Sequence, residues 1–291
     1  MKAFPLAPVS LLQNSKFCFF GIAIGLCVLH LLLTWRVVGD IDRLIVSALF
    51  WGAALCLLWR KQDDVNLESG IFSSFFGLLL MTLVLVKSFS LFWFESSFLK
   101  ILPLMAAIGL GLLASGIKGL KQYWQELITV LLLCLPDGSS LVEILGELFK
   151  INVLTAKFAV FVLWYLGFQA SGQGATVILP NGSVLVGTPC TGTSTALLLL
   201  KLTVIFILVF PINWSKKILV PIGAVFIAFI NSGIRVALMA VVVSNHEAFN
   251  YWHGSEGNQI FSTISILLFG LLCHFAIKPD KLSTPASMKL Q

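Results

Sequence analysis

Three residues in the C-terminal half of the chain have the side chains of a thiol enzyme: Cys190, Arg235 and His253. A thiolate attacks a carbonyl carbon, and an imidazole takes and returns protons near neutral pH. A guanidinium stays charged and can hydrogen-bond a developing oxyanion or a thiolate. Together these groups suit acyl transfer from a peptide bond through a thioester, so we take them as the candidate catalytic set.

Cys190 differs from the other cysteines in its surroundings. It lies in the polar segment Gly187-Thr188-Pro189-Cys190-Thr191-Gly192-Thr193-Ser194, where a loop is predicted to end and an apolar helix to begin. A thiol there meets water and a helix N-terminus, which favours its ionisation. Gly192 permits close backbone approach, and the helix N-terminal amides near Thr191–Ser194 can donate to an oxyanion. The other five cysteines lie in apolar runs, where cysteine is a small hydrophobic residue: Cys18, Cys27, Cys56, Cys134 and Cys273.

The composition places the chain in a lipid bilayer. Charged residues make up 11% of the 291 residues, against about a quarter in a soluble domain, so the chain cannot solvate its own surface. It has room for roughly eight to ten spans of ~20 residues and none for a separate soluble domain. The net charge of +6 is explained by basic loops that face the cytoplasm, so we expect no nucleic acid partner. The cysteines show no metal spacing, and we expect no metal and no cofactor.

Hydropathy predicts an all-α polytopic membrane protein with about eight transmembrane helices in a single integral-membrane domain, 1–291. Residues 1–121 are predicted to hold four spans, 122–277 the catalytic core and 278–291 a cytoplasmic tail. Between 122 and 169 one net crossing is expected, because Leu127–Leu135 is too short to cross alone and Pro136 follows it. The other predicted spans are Phe17–Trp35, Arg43–Trp59, Ile71–Phe92, Lys100–Ile117, Thr193–Phe210, Lys217–Val243 and Gly257–Ile277.

Charges in the short loops predict that both termini are cytoplasmic in the inner (plasma) membrane. Cys190 then opens its helix at the outer end, and His253 lies in the following outer loop. Arg235 is ~12 Å below the end of its helix, within snorkelling reach of the outer interface. The active site is therefore predicted on the extracytoplasmic face. The loops used are basic at Lys2/Lys16, Arg60/Lys61, Lys118/Lys121, Lys216/Lys217 and Lys278/Lys281, and acidic at Asp40/Asp42 and Glu95.

The polar loop 170–189 is predicted to contain a short extracytoplasmic β-hairpin. Its strands are Thr176–Leu179 and Ser183–Val186, joined by Pro180-Asn181-Gly182. Proline sets the first turn dihedral, and glycine accepts the positive φ that closes the turn. Because the edges of a hairpin carry unpaired backbone groups, we expect it outside the bilayer or capping the helices.

Several assignments stay open from the residues alone. His246 is a rival to His253 as the base, and Glu247 or Glu256 is a candidate to orient His253. Lys201, about three helical turns deeper than the thiol, is a candidate partner for a substrate group or an internal carboxylate.

The alternative function is a polytopic transporter or channel that uses intramembrane Lys and Arg. That alternative predicts an internal inverted repeat, which the sequence does not show, and it gives Cys190 no role.

Three ordered motifs resemble the exosortase/archaeosortase family, most closely its cyanobacterial branch. They are Thr188-Pro189-Cys190-Thr191-Gly192, Asn231-Ser232-Gly233-Ile234-Arg235-Val236, and Tyr251-Trp252-His253 with Gly257 and Ile260-Phe261 after it. The resemblance covers about residues 120–277. It implies a multipass cysteine protease/transpeptidase acting on exported proteins that end in a Pro-Glu-Pro motif, a transmembrane helix and a basic tail.

The resemblance also implies roles for individual residues. Cys190 would be the nucleophile, Arg235 its electrostatic partner and His253 the acid/base, with Thr191, Gly192 and Asn231 as supporting residues of the oxyanion site or of close approach. The chain departs from the family pattern twice. Thr191 stands where the family usually has Ser or Ala, and Thr193 where it usually has Ile.

Overall fold

Helices form most of the part of the chain that the structure describes. The structure is a computed structural model and describes residues 8–90, 96–135, 144 and 146–277. The chain divides into two compact units, Met1–Pro136 and Asp137–Gln291. The predictions at Lys2, at Glu95, at the break near Pro136 and for the tail 278–291 fall outside the described residues, as does the end of the predicted third span.

Among its described residues, the first unit contains five helices and one 3₁₀ turn. The four predicted N-terminal spans coincide with the first four helices, because each is an apolar run bounded by charged or polar residues. Asp40 caps the second helix, where its side chain accepts a hydrogen bond from the Asp42 amide at 2.9 Å. The elements are α1 (Pro8–Val38), α2 (Ile41–Arg60), α3 (Ile71–Ser90), α4 (Ser96–Gly119), the 3₁₀ turn Leu120–Tyr123 and α5 (Trp124–Cys134).

The chain folds back on itself after α4. Gly116 adopts φ 69° and ψ −177°, which interrupts the helix. The Tyr123 hydroxyl then lies 2.8 Å from the Ser115 hydroxyl, so α5 returns along α4. With 11 residues α5 is ~16 Å long, about half the thickness of the hydrocarbon core. The structure thus agrees with the prediction that Leu127–Leu135 is too short to cross alone.

Five helices and a small sheet of the second unit have both ends among the described residues, and residues 144 and 146–148 are also helical. Its elements are α6 (Ile151–Tyr165), β1 (Ser171–Gln173), β2 (Thr176–Leu179), β3 (Gly182–Leu185), the 3₁₀ turn Thr188–Cys190, α7 (Thr193–Val209), α8 (Trp214–Val241), α9 (His246–His253) and α10 (Ser255–Ile277).

The predicted β-hairpin is confirmed. Strands β2 and β3 are antiparallel with Val177 opposite Val184 and Leu179 opposite Gly182, which leaves Pro180 and Asn181 as the loop. A third strand, β1, pairs with β2 and was not predicted, because Ser171-Gly172-Gln173 has no apolar alternation. One face of the sheet is buried with α6 and α8. That cluster contains Ala159, Leu163, Val177, Leu179, Val184, Val236 and Met239.

Six helical segments of the described chain are long and apolar enough to cross a membrane. The predicted count of eight is not confirmed. Helices α6 and α7 have 15 and 17 residues, or ~22 and ~26 Å, against a hydrocarbon core of ~30 Å. The six segments are Lys16–Val38, Ile41–Arg60, Ile71–Phe89, Phe98–Cys134, Trp214–Val241 and Ser255–Ile277, of which the fourth joins α4 and α5.

Helices α6 and α8 approach closely at Gly233. A Cβ atom at this position would overlap the ring of Phe158, whose centroid lies 5.3 Å from that of Phe229. Small residues at such crossings let the backbones of membrane helices come together. The glycine of the Asn231–Val236 motif therefore sets the distance between α8 and the helix that precedes the sheet.

We expect Gly233→Ala to lower the free energy of unfolding by about 1–3 kcal/mol, since the added methyl group overpacks the contact with Phe158. Thermal unfolding in detergent, followed by circular dichroism, measures the change. Gly270→Ala in α10 is the matched control, because in the part of the chain that the structure describes no atom lies within 4 Å of a Cβ built there. Equal shifts for the two variants would contradict the close approach, and Phe158→Leu should partly rescue Gly233→Ala.

Candidate active site

The turn that carries Cys190 is fixed by its own backbone. The Cys190 amide donates to the Gly187 carbonyl at 2.9 Å, and the Thr191 amide donates to the Thr188 carbonyl at 3.2 Å. The thiol is 5% exposed, next to the buried face of the sheet. The predicted nucleophile thus lies in a short rigid turn between the sheet and α7.

Gly192 joins this turn to α7 and packs against α8. It adopts φ +76°, and a Cβ atom would lie 2.8 Å from the Ala228 carbonyl oxygen and against the Ser232 side chain. Only glycine combines this conformation with this contact at low cost. The close approach predicted for Gly192 is therefore an approach to the backbone of α8.

The two departures from the family pattern contact one another. The hydroxyl oxygens of Thr191 and Thr193 are 2.7 Å apart, and the Thr191 hydroxyl also donates to the Thr188 carbonyl at 2.8 Å. Thr193 is therefore the donor between the two hydroxyls. Both residues are buried, so their polar groups are satisfied within the turn and stabilise its conformation.

Amide groups remain available at the start of α7. The first N–H groups of an α-helix have no intrahelical acceptor, and here they belong to the residues that follow Gly192. The Thr191 amide already donates within the turn. The amides left without an acceptor in this turn are therefore those of Gly192, Thr193 and Ser194.

Arg235 is buried, with 6% of its surface exposed, and its guanidinium binds the end of α9. Nε donates to the Trp252 carbonyl at 3.0 Å, and Nη2 donates to the His253 carbonyl at 3.0 Å. Nη1 donates to Oδ1 of Asn258, in the first turn of α10, at 2.8 Å. Carbonyls at a helix C-terminus lack intrahelical partners, and a cation there is favourable. Arg235 thus caps α9 from α8.

His253 is the last residue of α9 and lies beside Cys190. Its Nδ1 is 3.9 Å from Sγ of Cys190. Its ring stacks on Phe249 with centroids 5.5 Å apart and an interplanar angle of 11°. The side chain is exposed, unlike the thiol. The stacked ring and the capped helix end together aim one imidazole nitrogen at the sulfur.

Two opposing effects act on the thiol of Cys190, which lies outside the apolar helices. Burial raises its pKa above the ordinary value, and the nearby positive charge of Arg235 lowers that pKa by a smaller amount. The resting side chain is therefore mainly protonated near neutral pH. A nucleophilic role for this thiol would therefore require a base within reach, and Nδ1 of His253 is 3.9 Å from the sulfur.

Asn231 connects helices rather than facing the thiol. Its side-chain amide donates to the Phe261 carbonyl and, at 2.7 Å, to the hydroxyl of Ser265, both on α10. Both amide hydrogens are thus engaged, one turn below Arg235 on α8. This arrangement supports a role in holding α8 and α10 together and leaves no amide hydrogen for an oxyanion.

The remaining candidates are His246, Glu256 and Lys201. His246 begins α9 and is exposed at the end opposite His253. Glu256 accepts a hydrogen bond from the Ser255 hydroxyl at 3.4 Å, whereas the His253 ring contacts Phe249 and Cys190. Lys201 lies on α7 and is partly buried.

The sequence did not predict three contacts of the site. The Phe249 ring stacks on His253, and the Trp252 carbonyl and the Asn258 side chain accept hydrogen bonds from Arg235. Phe249 is one helical turn before His253, and Asn258 directly follows Gly257, but neither spacing alone signals a contact. No group of three His, Cys, Asp or Glu side chains in the described residues is placed to hold a metal ion.

The comparison with family models gives a match over most of the chain. The family model for transmembrane exosortases matches residues 35–270, a range that contains all three candidate catalytic residues. That family is one of membrane proteases/transpeptidases, which favours an enzyme over a transporter or channel. A search of curated proteins and a search of solved structures each give no match.

We expect Arg235→Gln to move the pH profile of Cys190 alkylation upward by about one pH unit, because the variant removes a positive charge beside the thiolate. At a fixed pH below the pKa, alkylation should be about tenfold slower. Mass spectrometry of the peptide that contains Cys190 gives the rate. His246→Gln, at an exposed position of α9, serves as the control and should leave the profile in place. An unchanged profile in Arg235→Gln would exclude the electrostatic contribution of Arg235.

Proposed function

Since this chain belongs to the transmembrane exosortase family, we propose that it is a membrane cysteine protease/transpeptidase that cleaves Pro-Glu-Pro-type C-terminal sorting signals of exported proteins. The observation that carries the proposal is the distance of 3.9 Å between Sγ of Cys190 and Nδ1 of His253. The buried guanidinium of Arg235 binds the chain where α9 meets α10, next to this pair. A thiol, an imidazole and a guanidinium together suit covalent acyl transfer. The three motifs around Cys190, Arg235 and His253 support the cyanobacterial branch of the family.

Acylation would begin with transfer of the thiol proton from Cys190 to Nδ1 of His253. The sulfur attacks the scissile carbonyl carbon, and the carbonyl oxygen becomes an oxyanion. The free amides at the start of α7 would donate to it. Three of the five guanidinium N–H groups of Arg235 donate to α9 and Asn258, which leaves two for the oxyanion or the thiolate.

Collapse of the tetrahedral intermediate breaks the peptide C–N bond. His253 gives its proton to the departing amine, and the substrate stays attached to Cys190 as a thioester. A second nucleophile then attacks the thioester and returns a proton to the thiol through His253. Water as the nucleophile gives hydrolysis, and an amine or another acceptor gives transpeptidation.

The aromatic residues of the second unit support a reaction at the membrane interface. Trp164 and Tyr165 are exposed at the end of α6, a few residues before β1. Trp and Tyr are enriched at the boundary between lipid and water. We propose that this boundary is the extracytoplasmic face of the inner membrane, with both termini cytoplasmic. The substrate helix would enter from the bilayer with its basic tail in the cytoplasm.

We expect Cys190→Ala to abolish processing of an exported reporter that carries a Pro-Glu-Pro signal, a transmembrane helix and a basic tail. Loss of the nucleophile removes the covalent route altogether, so the rate should fall at least about a thousandfold. Immunoblotting of the reporter in membranes follows the cleavage. In the native enzyme, acid quenching should trap a thioester-linked fragment that hydroxylamine releases.

Cys56→Ala is the matched control for this experiment, because Cys56 is an exposed cysteine of α2 with no part in the proposed chemistry. Its processing rate should equal that of the native chain. Normal cleavage by Cys190→Ala, with Cys56→Ala also normal, would refute the proposed function.

Arg235→Lys should fail in processing, with a loss of about a hundredfold or more, although it keeps the positive charge. One ammonium group cannot reproduce the planar fork that reaches the Trp252 carbonyl, the His253 carbonyl and Asn258. Cleavage kinetics of the same reporter test this expectation, with the Cys190 alkylation profile recorded in parallel. Retained activity would reduce Arg235 to a simple cation near the thiol.

A further inference from the structure

We propose that Asn258 is a positioning residue for the reaction: it fixes the Arg235 guanidinium, which in turn holds His253 within reach of Cys190. This inference rests on the proposed function and adds a residue to it. The direct observation is the 2.8 Å hydrogen bond from Nη1 of Arg235 to Oδ1 of Asn258.

The geometry gives Asn258 a specific task. A guanidinium has a flexible stem of three methylenes and rotates freely unless its fork is held. The two carbonyls of α9 hold Nε and Nη2, and both belong to the segment that Arg235 itself has to position. Asn258 lies on α10 and provides an acceptor from outside that segment. Its side-chain oxygen therefore fixes the Arg235 guanidinium from a helix other than α9.

The position of Asn258 in its helix is well defined. Its amide donates to the Gly254 carbonyl at 3.1 Å, so it lies in the first turn of α10, directly after the corner that carries His253. Helix α10 is tied to α8 one turn deeper by Asn231, which binds Ser265. The packing of α8 and α10 thus holds Asn258 in place, and Asn258 in turn holds the Arg235 guanidinium.

An amide oxygen also suits the charge balance of the site. A carboxylate at position 258 would satisfy the same N–H group and neutralise the guanidinium, and so weaken its effect on the thiol. The neutral acceptor fixes the cation and leaves its charge acting on Cys190. We therefore expect Asn258→Asp to keep the position of His253 but to raise the pKa of the Cys190 thiol.

The test compares three variants of the full-length protein in membranes, with the Pro-Glu-Pro reporter as substrate. Asn258→Ala should lower kcat about tenfold to a hundredfold, the range expected for loss of one hydrogen bond to a charged group, with KM within about threefold of the native value. Asn258→Asp should restore kcat to within about fivefold of the native value. Asn250→Ala is the matched control, an exposed asparagine of α9, and should process normally.

A second measurement separates positioning from general stability. In Asn258→Ala, the pH profile of Cys190 alkylation should coincide with that of His253→Ala, because the imidazole no longer faces the sulfur. Adding Asn258→Ala to His253→Ala should then cause no further change. If Asn258→Ala does not fold, Asn258→Ser replaces it, since its hydroxyl is too short to reach the guanidinium.

The possible results distinguish failure of the positioning role from failure of the proposed function. A native kcat in Asn258→Ala, no recovery in Asn258→Asp, or an additive effect in the His253→Ala background would each overturn the positioning role. Failure of the proposed function is recognised separately, because Cys190→Ala would then still cleave the reporter. Loss of cleavage in Cys190→Ala together with a native Asn258→Ala would leave the enzyme in place and remove only Asn258 from it.

Discussion

The structure of the site depends on one buried cation whose hydrogen-bond partners are all neutral. Arg235 lies inside the second unit and donates to two peptide carbonyls and one side-chain amide. A carboxylate partner would cancel the charge, whereas these acceptors satisfy the N–H groups and leave the charge in place. The same side chain can therefore cap α9, fix the direction of its last residue and still lower the pKa of a nearby thiol.

Several residues of the motif Asn231–Val236 each contact a different element, because helix α8 lies among several neighbours. Successive residues of an α-helix point about 100° apart, so a run of five residues faces every side. Asn231 binds α10, Ser232 lies against Gly192 in the cysteine turn, and Gly233 lies under Phe158 of α6. Each position has a different contact, and a substitution at any of them would displace a different neighbour of the site.

Much of the fold could be predicted from local signals in the sequence, and the contacts of the site could not. Apolar runs set the helices, and Pro180 with Asn181 set the hairpin turn, since both are properties of a few adjacent residues. Strand β1 lacked such a signal. That α6 and α7 are short could be seen only once the structure showed where each helix begins and ends. Residue types and the family motifs indicated Cys190 and His253. The stacking of His253 on Phe249 and the bond to Asn258 depend on packing that no spacing encodes.

The opposite exposures of the thiol and the imidazole favour one mode of activation. A thiol whose pKa is raised by burial is mostly protonated at rest, but the thiolate of a weaker acid is the stronger nucleophile once formed. His253 is exposed and 3.9 Å away, so under the proposed mechanism it would accept the proton as the sulfur attacks. A bound peptide would cover the imidazole and exclude water, which strengthens the contact between the two groups. General-base catalysis within the substrate complex therefore fits this geometry better than a thiolate–imidazolium pair formed in advance.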